Sequence, residues 1–272
     1  SATIAATALS DIGGKTSGAV TVTKAVKITG STADLTNTMV SGSSSVTAGT
    51  ALVTVSDAAF ASSSTAIAAT DLSNIGGKTT GAVTLANKVR LQGSQSEVAT
   101  ALVGDSSVVA SKANTEARVT SVVNVNQGEE IAGVNNVQGI FASGLSDSLS
   151  SLASGGNSTA KLNTITGDDG DVAITVSDSA FESSSATLTA ADLIAVGGAT
   201  TGTVTVTNAI KISGNTTQLT NTLVSSSSSV TASSALVTVS DAAFTTSSAT
   251  IAATTLSDIG GKTSGTVTVT KA

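Results

Sequence analysis

The chain contains no cysteine, proline, histidine, tryptophan or tyrosine, and its whole aromatic content is four phenylalanines. Each absence removes a class of chemistry. Lack of cysteine excludes a disulfide framework and a thiolate zinc site, and it leaves the redox compartment unread. It also suits long extracellular bacterial proteins, in which free thiols invite cross-linking. Lack of both histidine and cysteine excludes a Ser-His-Asp or Cys-His nucleophile. A Ser-Lys pair stays open, but no Ser-x-x-Lys sequence stands in a distinctive setting. Glycosidic carboxylate pairs would normally come with aromatic sugar platforms, which are missing. The expectation is therefore a protein that is not an enzyme. Charge is also scarce, at 11% of residues, where soluble domains carry roughly 25%. The net charge of −6 and the missing aromatics speak against a nucleic-acid partner, which needs clustered Lys and Arg and stacking platforms. No run approaches ~18 apolar residues, so no transmembrane segment is expected. No basic-then-apolar leader stands at Ser1.

What remains is a chain of small and branched residues. Hydrophobic residues make up 40% of it, mostly Ala, Val, Ile and Leu, which suits thin, regular layers better than a thick interior. Ser, Thr, Asn and Gly must supply the solubility. Self-similarity is the dominant signal. Leu9-Ser-Asp-Ile-Gly-Gly14 recurs as Leu72–Gly77, Leu193–Gly198 and Leu256–Gly261, with a degenerate copy at Val134–Gly139. Units thus start near residues 9, 72, 134, 193 and 256, a period of about 60 residues over one continuous array, 1–272. A second marker keeps the same phase: Val53-Thr-Val-Ser-Asp-Ala-Ala-Phe60, Ile174–Phe181 and Val237–Phe244. Residues Ser1 to Ala25 nearly repeat as Ser248 to Ala272, so the chain reads as a window cut from a longer array. The stretch 98–171 diverges, either as an eroded pair of half-units or as a loop-bearing insertion.

Within each unit, short helical signals precede alternating strands. Ser31 and Asp34 form a start signal, and Leu35 and Met39 share one helix face. Gly13-Gly14 is a helix stop. Val20-Thr-Val22-Thr and Val204-Thr-Val206-Thr alternate with period two. Such thin units bury their apolar face only against their neighbours. The predicted fold is mainly β, a tandem-repeat β-solenoid with short helical turns. The alternative is a string of small β-sandwich domains, for which these units are short.

Gly14-Lys-Thr16, Gly77-Lys-Thr79 and Gly261-Lys-Thr263 resemble the end of a phosphate-binding loop. The position that motif reserves for its first glycine is Leu9, Leu72 or Leu256, so helix ends with solvated lysines fit better. Gly167-Asp168-Asp169-Gly170-Asp171 gathers three carboxylates, and Asp168, Asp169 and Asp171 are the candidate calcium ligands; no other cofactor is expected. The Ser-Asp after each Val-Thr-Val strand is expected to cap the turn that follows. Thr203, Thr205 and Thr207, like Thr266, Thr268 and Thr270, make rows that could order ice on a flat face, or simply reflect β-propensity. Asn157-Ser-Thr159 and Asn215-Thr-Thr217 match the N-glycosylation pattern.

The Val-Thr-Val-Ser-Asp-Ala-Ala-Phe marker, Ala33-Asp-Leu-Thr-Asn37 and Thr79-Thr-Gly-Ala-Val-Thr84 together resemble the long Ser/Thr/Ala-rich tandem-repeat proteins of bacteria, particularly cyanobacteria, regarded as surface or adhesin-like. The resemblance implies an extracellular or cell-surface structural role with no residue-level site. The expectation is a repeat segment of a fibre or adhesin that assembles head to tail with itself and meets surface glycans or other cells. A ligand-binding fibre, of phage receptor-binding or ice-binding type, is the alternative.

Overall fold

Strands of two to five residues are interspersed with helices of four to ten along the chain, because parallel neighbours cannot be joined by a tight turn and need a crossover. The structure is a computed structural model describing residues 2–24, 26–44, 46–61, 66–104, 115–181, 187–242 and 250–270. Phe244 of the third marker copy lies outside the described residues. Helix occupies 34% and strand 27% of what is described. The fold is therefore α/β with several parallel sheets, which overturns both the mainly-β solenoid and the string of sandwiches. The alternating Val-Thr strands are where they were expected. The error lay in the Ala- and Leu-rich segments, which are crossover helices of a turn or more rather than corners.

The described residues group into two units. The first comprises Ser1–Ser121 with Glu130–Ala142. One of its sheets orders the parallel strands Thr3–Ala5, Lys27–Gly30, Leu52–Val55 and Val83–Leu85. A second orders Ile67–Ala68, Arg90–Gly93, Thr115–Val119 and Val137–Phe141, and Val20–Thr21 pairs with Val46–Thr47 in a third. Chain order explains the arrangement. The helix Ala6–Gly13 carries the chain from the first sheet to Val20; it returns at Lys27, crosses again through residues 32–40 to Val46, and returns at Leu52. Both of these crossovers thus exchange one sheet for another.

The second unit comprises Val122–Glu129 with Ser143–Ala272. Its sheet of Thr187–Thr189, Lys211–Gly214, Leu236–Val239 and Val267–Val269 repeats the first sheet of the other unit in register: Lys27 faces Leu52 as Lys211 faces Leu236, and Val53 faces Val83 as Val237 faces Val267. A further parallel sheet holds Leu145–Asp147, Ile174–Val176, Val204–Val206 and Val230–Thr231.

Two kinds of helix recur. Ala6–Gly13, Ala69–Gly76 and Ala253–Gly260 start without a side-chain cap and end on the first glycine of the Gly-Gly pair. The other kind starts with a reciprocal capping box, Ser31 with Asp34, Ser94 with Glu97 and Asn215 with Gln218. It then widens into a π-helix at Thr36–Val40, Thr100–Gly104 and Thr220–Val224. Leu35 and Met39 are buried there as the spacing required.

The divergent stretch holds a ladder strand and a hairpin. Thr115–Val119 keeps its place in a ladder, whereas Ala153–Ser154 and Asn157–Ser158 form an antiparallel hairpin whose turn residues Gly155 and Gly156 have φ of 61° and 80°, a left-handed pair suited to a two-residue turn. The degenerate Val134–Gly139 copy is a turn running into the strand Val137–Phe141, with no helix or Gly-Gly stop.

Candidate functional site

The feature repeated most faithfully is the seam between consecutive repeats. It is built from the Thr-Thr/Ser-Gly triplet that follows the Gly-Gly helix end. Thr79 Oγ1 donates to the Ala51 carbonyl at 2.6 Å, Thr200 Oγ1 to Val172 at 2.7 Å, and Thr263 Oγ1 to Ala235 at 2.5 Å. The same hydroxyls accept from the amides of Gly81, Gly202 and Gly265 at 2.9–3.0 Å. The central residue adds a main-chain bond: Thr80, Thr201 and Ser264 amides donate to Gly49, Gly170 and Ser233 carbonyls at 2.8–2.9 Å. Glycine is required at the third position by proximity. A Cβ on Gly81, Gly202 or Gly265 would sit 2.2 Å from the Ala51, Asp171 or Ala235 oxygen. Strand pairing follows at once, Val83 with Val53, Val204 with Ile174 and Val267 with Val237.

The Val-Thr-Val-Ser-Asp-Ala-Ala-Phe marker ties the same joint from the other side. Val53 and Val55 are core. Asp57 does not cap the turn after it, contrary to expectation. Its carboxylate reaches back to the Thr32 amide and hydroxyl, both at 2.7 Å, at the start of the preceding helix. Asp241 does the same for Thr216 at 2.8 and 3.0 Å, and Asp178 for the Leu149 amide at 2.7 Å. The N-terminal amides of those helices have no partner within the helix, and a carboxylate opposite them also meets the favourable end of the helix dipole. No local sequence pattern marks a bond that spans 25 residues.

The end of the marker reaches forward. The Asp57 carbonyl accepts from Asn87 Nδ2 at 2.7 Å and Asp178 from Asn208 at 2.6 Å. The Arg90 guanidinium lies 3.8 Å from the Phe60 ring centroid, and Lys211 Nζ lies 5.7 Å from that of Phe181. Arg90 also pairs with Glu116. Sequence reasoning treated these phenylalanines only as phase markers; the missed signal was a basic residue 30 positions after each, at Arg90 and Lys211.

The other candidates fall as follows. Lys15, Lys78 and Lys262 are exposed just past helix ends. Asp168 is the last residue of the helix Ala160–Asp168, Asp169 is buried with its amide bonded to Ile165, and Asp171 is exposed. Among the described residues, no three carboxylates converge as a metal ion would need. Each Thr-x-Thr row places one threonine in the middle of its strand, and the hydroxyls run across strands: Ser146, Thr175, Thr205 and Thr231 stand in register. Asn157 is exposed beside the hairpin turn, and Asn215 is exposed with its side-chain oxygen taken by the Gln218 amide. Near Leu223 and Lys262 a serine-lined hollow exists, but the Ser228 hydroxyl is committed to the Thr222 carbonyl. The Glu97 carboxyl is held below the ordinary range by the Ser94 amide, then by the Ser94 hydroxyl. No described helix is long and apolar enough to cross a membrane.

No protein-family model matches the chain, and neither a curated protein nor a solved structure shows significant similarity to it.

Proposed function

We propose that the chain is a structural repeat segment of a secreted or cell-surface bacterial fibre of adhesin type, and that its working part is the joint between repeats rather than any pocket. The recurrence of one joint carries this reading: the Thr79, Thr200 and Thr263 seams share donor, acceptor and a glycine forced by contact. A joint of that kind lets a chain grow by adding near-copies, with each repeat contacting its neighbours. Further copies of the chain and surface glycans are the partners it would meet, and no catalytic role is assigned. Immunogold labelling of intact source cells tests the proposal. Label on the outer surface is expected, at a distance from the envelope that grows with repeat number; label confined to the cell interior would refute it.

A further inference from the structure

The chain holds two arginines, Arg90 and Arg118, and they stand on adjacent strands of one sheet, Arg90–Gly93 and Thr115–Val119. Leu91, Ala117 and Val119 are buried, so alternation turns Arg90, Gln92, Glu116 and Arg118 to the outer face. Two sister sheets share the inner register. Ile28, Val53 and Val83 in one, and Ile212, Val237 and Val267 in the other, take the places of Leu91, Ala117 and Gly139. Outside, the sisters carry rows of short hydroxyls: Thr29, Thr54 and Thr84, and Ser213, Thr238 and Thr268. Here the same row reads Gln92, Arg118 and Ile140. The row beside it pairs Lys27 with Leu52 and Lys211 with Leu236 in the sisters, but Arg90 with Glu116 here. The sisters form their ladders without long side chains on this face, so folding does not demand them.

Arg90 is occupied: its guanidinium pairs with Glu116 and lies over the Phe60 ring. Arg118 is half-buried and, among the described residues, forms neither an ion pair nor a side-chain hydrogen bond. Lys88, two residues before Arg90, is exposed. The face thus sets three cations beside the Glu116 carboxylate in a chain whose net charge is −6. We propose that this outer face binds a carboxylated polysaccharide, with the Arg118 guanidinium taking a sugar carboxylate and Gln92 and Glu116 taking neighbouring hydroxyls. An arginine fork matches a carboxylate through two parallel hydrogen bonds. The Gln92 amide oxygen and the Glu116 carboxylate accept, as hydroxyl donors require, whereas a ligand offering acids alone would meet repulsion at Glu116. The proposal rests on the reading of the chain as a segment that meets surface glycans. It is tested on purified protein, so its failure would leave the surface location to the labelling experiment.

The test is binding of the full chain to immobilised polygalacturonate, dextran sulfate and unsubstituted dextran in dilute buffer. The parent should bind polygalacturonate best and unsubstituted dextran not at all. Arg118→Thr installs the residue that both sister sheets carry at this place, so the unfolding midpoint should hold while binding falls about tenfold, the scale of a lost charge-assisted contact. Arg118→Lys keeps the charge without the fork and should bind between the two; it carries the same comparison if the threonine variant unfolds. Lys27→Thr removes one positive charge from a sister sheet and should leave binding unchanged. Equal losses from the variants at positions 118 and 27, tighter binding to dextran sulfate than to polygalacturonate, or no binding of the parent to polygalacturonate would each overturn the proposal.

Discussion

At the scale of single residues, the glycines of the Thr-x-Gly triplets offer a controlled comparison. Gly81→Ala places a methyl 2.2 Å from a backbone oxygen, whereas Gly18→Ala meets only the Thr16 hydroxyl, at an ordinary 3.4 Å. We expect the first to cost roughly 1–3 kcal/mol, the range for forcing atoms into packed sites, and the second to be close to neutral in urea unfolding of the same protein. Glu97 yields a pH prediction. Its folded pKa lies below the ordinary value, so its contribution is present above the unfolded pKa and is lost as pH falls through the folded one. Amide exchange of Ser94 and Glu97 should quicken locally on acidification, and Glu97→Gln should remove that dependence while keeping the cap. The carboxylate's bonds are all to Ser94 at one helix start, so the global midpoint should hardly move.

At the scale of elements, the π-helical turns are held by buried hydroxyls. Thr38 Oγ1 donates to the Ala6 carbonyl at 2.8 Å and to Asp34 at 2.7 Å; Thr222 reaches Ala190 at 3.1 Å and Gln218 at 2.8 Å. Thr38→Val keeps the shape and removes both bonds, so a loss of about 1 kcal/mol is expected, read by thermal or urea unfolding. The second copy has Ala101 at this place, so the same turn survives without the hydroxyl. This scale also marks how far the sequence was legible. The Val-Thr strands and the Ser31-Asp34 box are local patterns, and each is where the spacing put it. The helix content was underestimated because Ala5, Ala68 and Ala252 start helices without a side-chain cap, and starts were sought through caps. The targets of Asp57 and Phe60 were illegible for another reason: their partners lie in other strands and helices, 25 and 30 residues away. Only the parallel register brings them together.

At the scale of the molecule, the Thr-x-Gly side of the joint is built from uncharged groups, whereas the Asp57, Asp178 and Asp241 side uses carboxylates. The ion pairs of Arg90 with Glu116 and of Lys161 with Glu129 both lie outside the Thr-x-Gly seam. Its donors are hydroxyls and amides, and its acceptors are peptide carbonyls and the same threonine hydroxyls. Dissolved ions screen exchanges between charges and leave neutral contacts of this kind largely untouched. Unfolding midpoints of the whole chain should therefore differ little between dilute buffer and about 1 M sodium chloride, where the Debye length has fallen to roughly 3 Å; a large shift would mean that charge does more here than the seam implies. A chain joined in this way would hold together alike in rainwater and in brine, because its cohesion is written in shape and hydroxyl placement and owes little to the electrolyte around it.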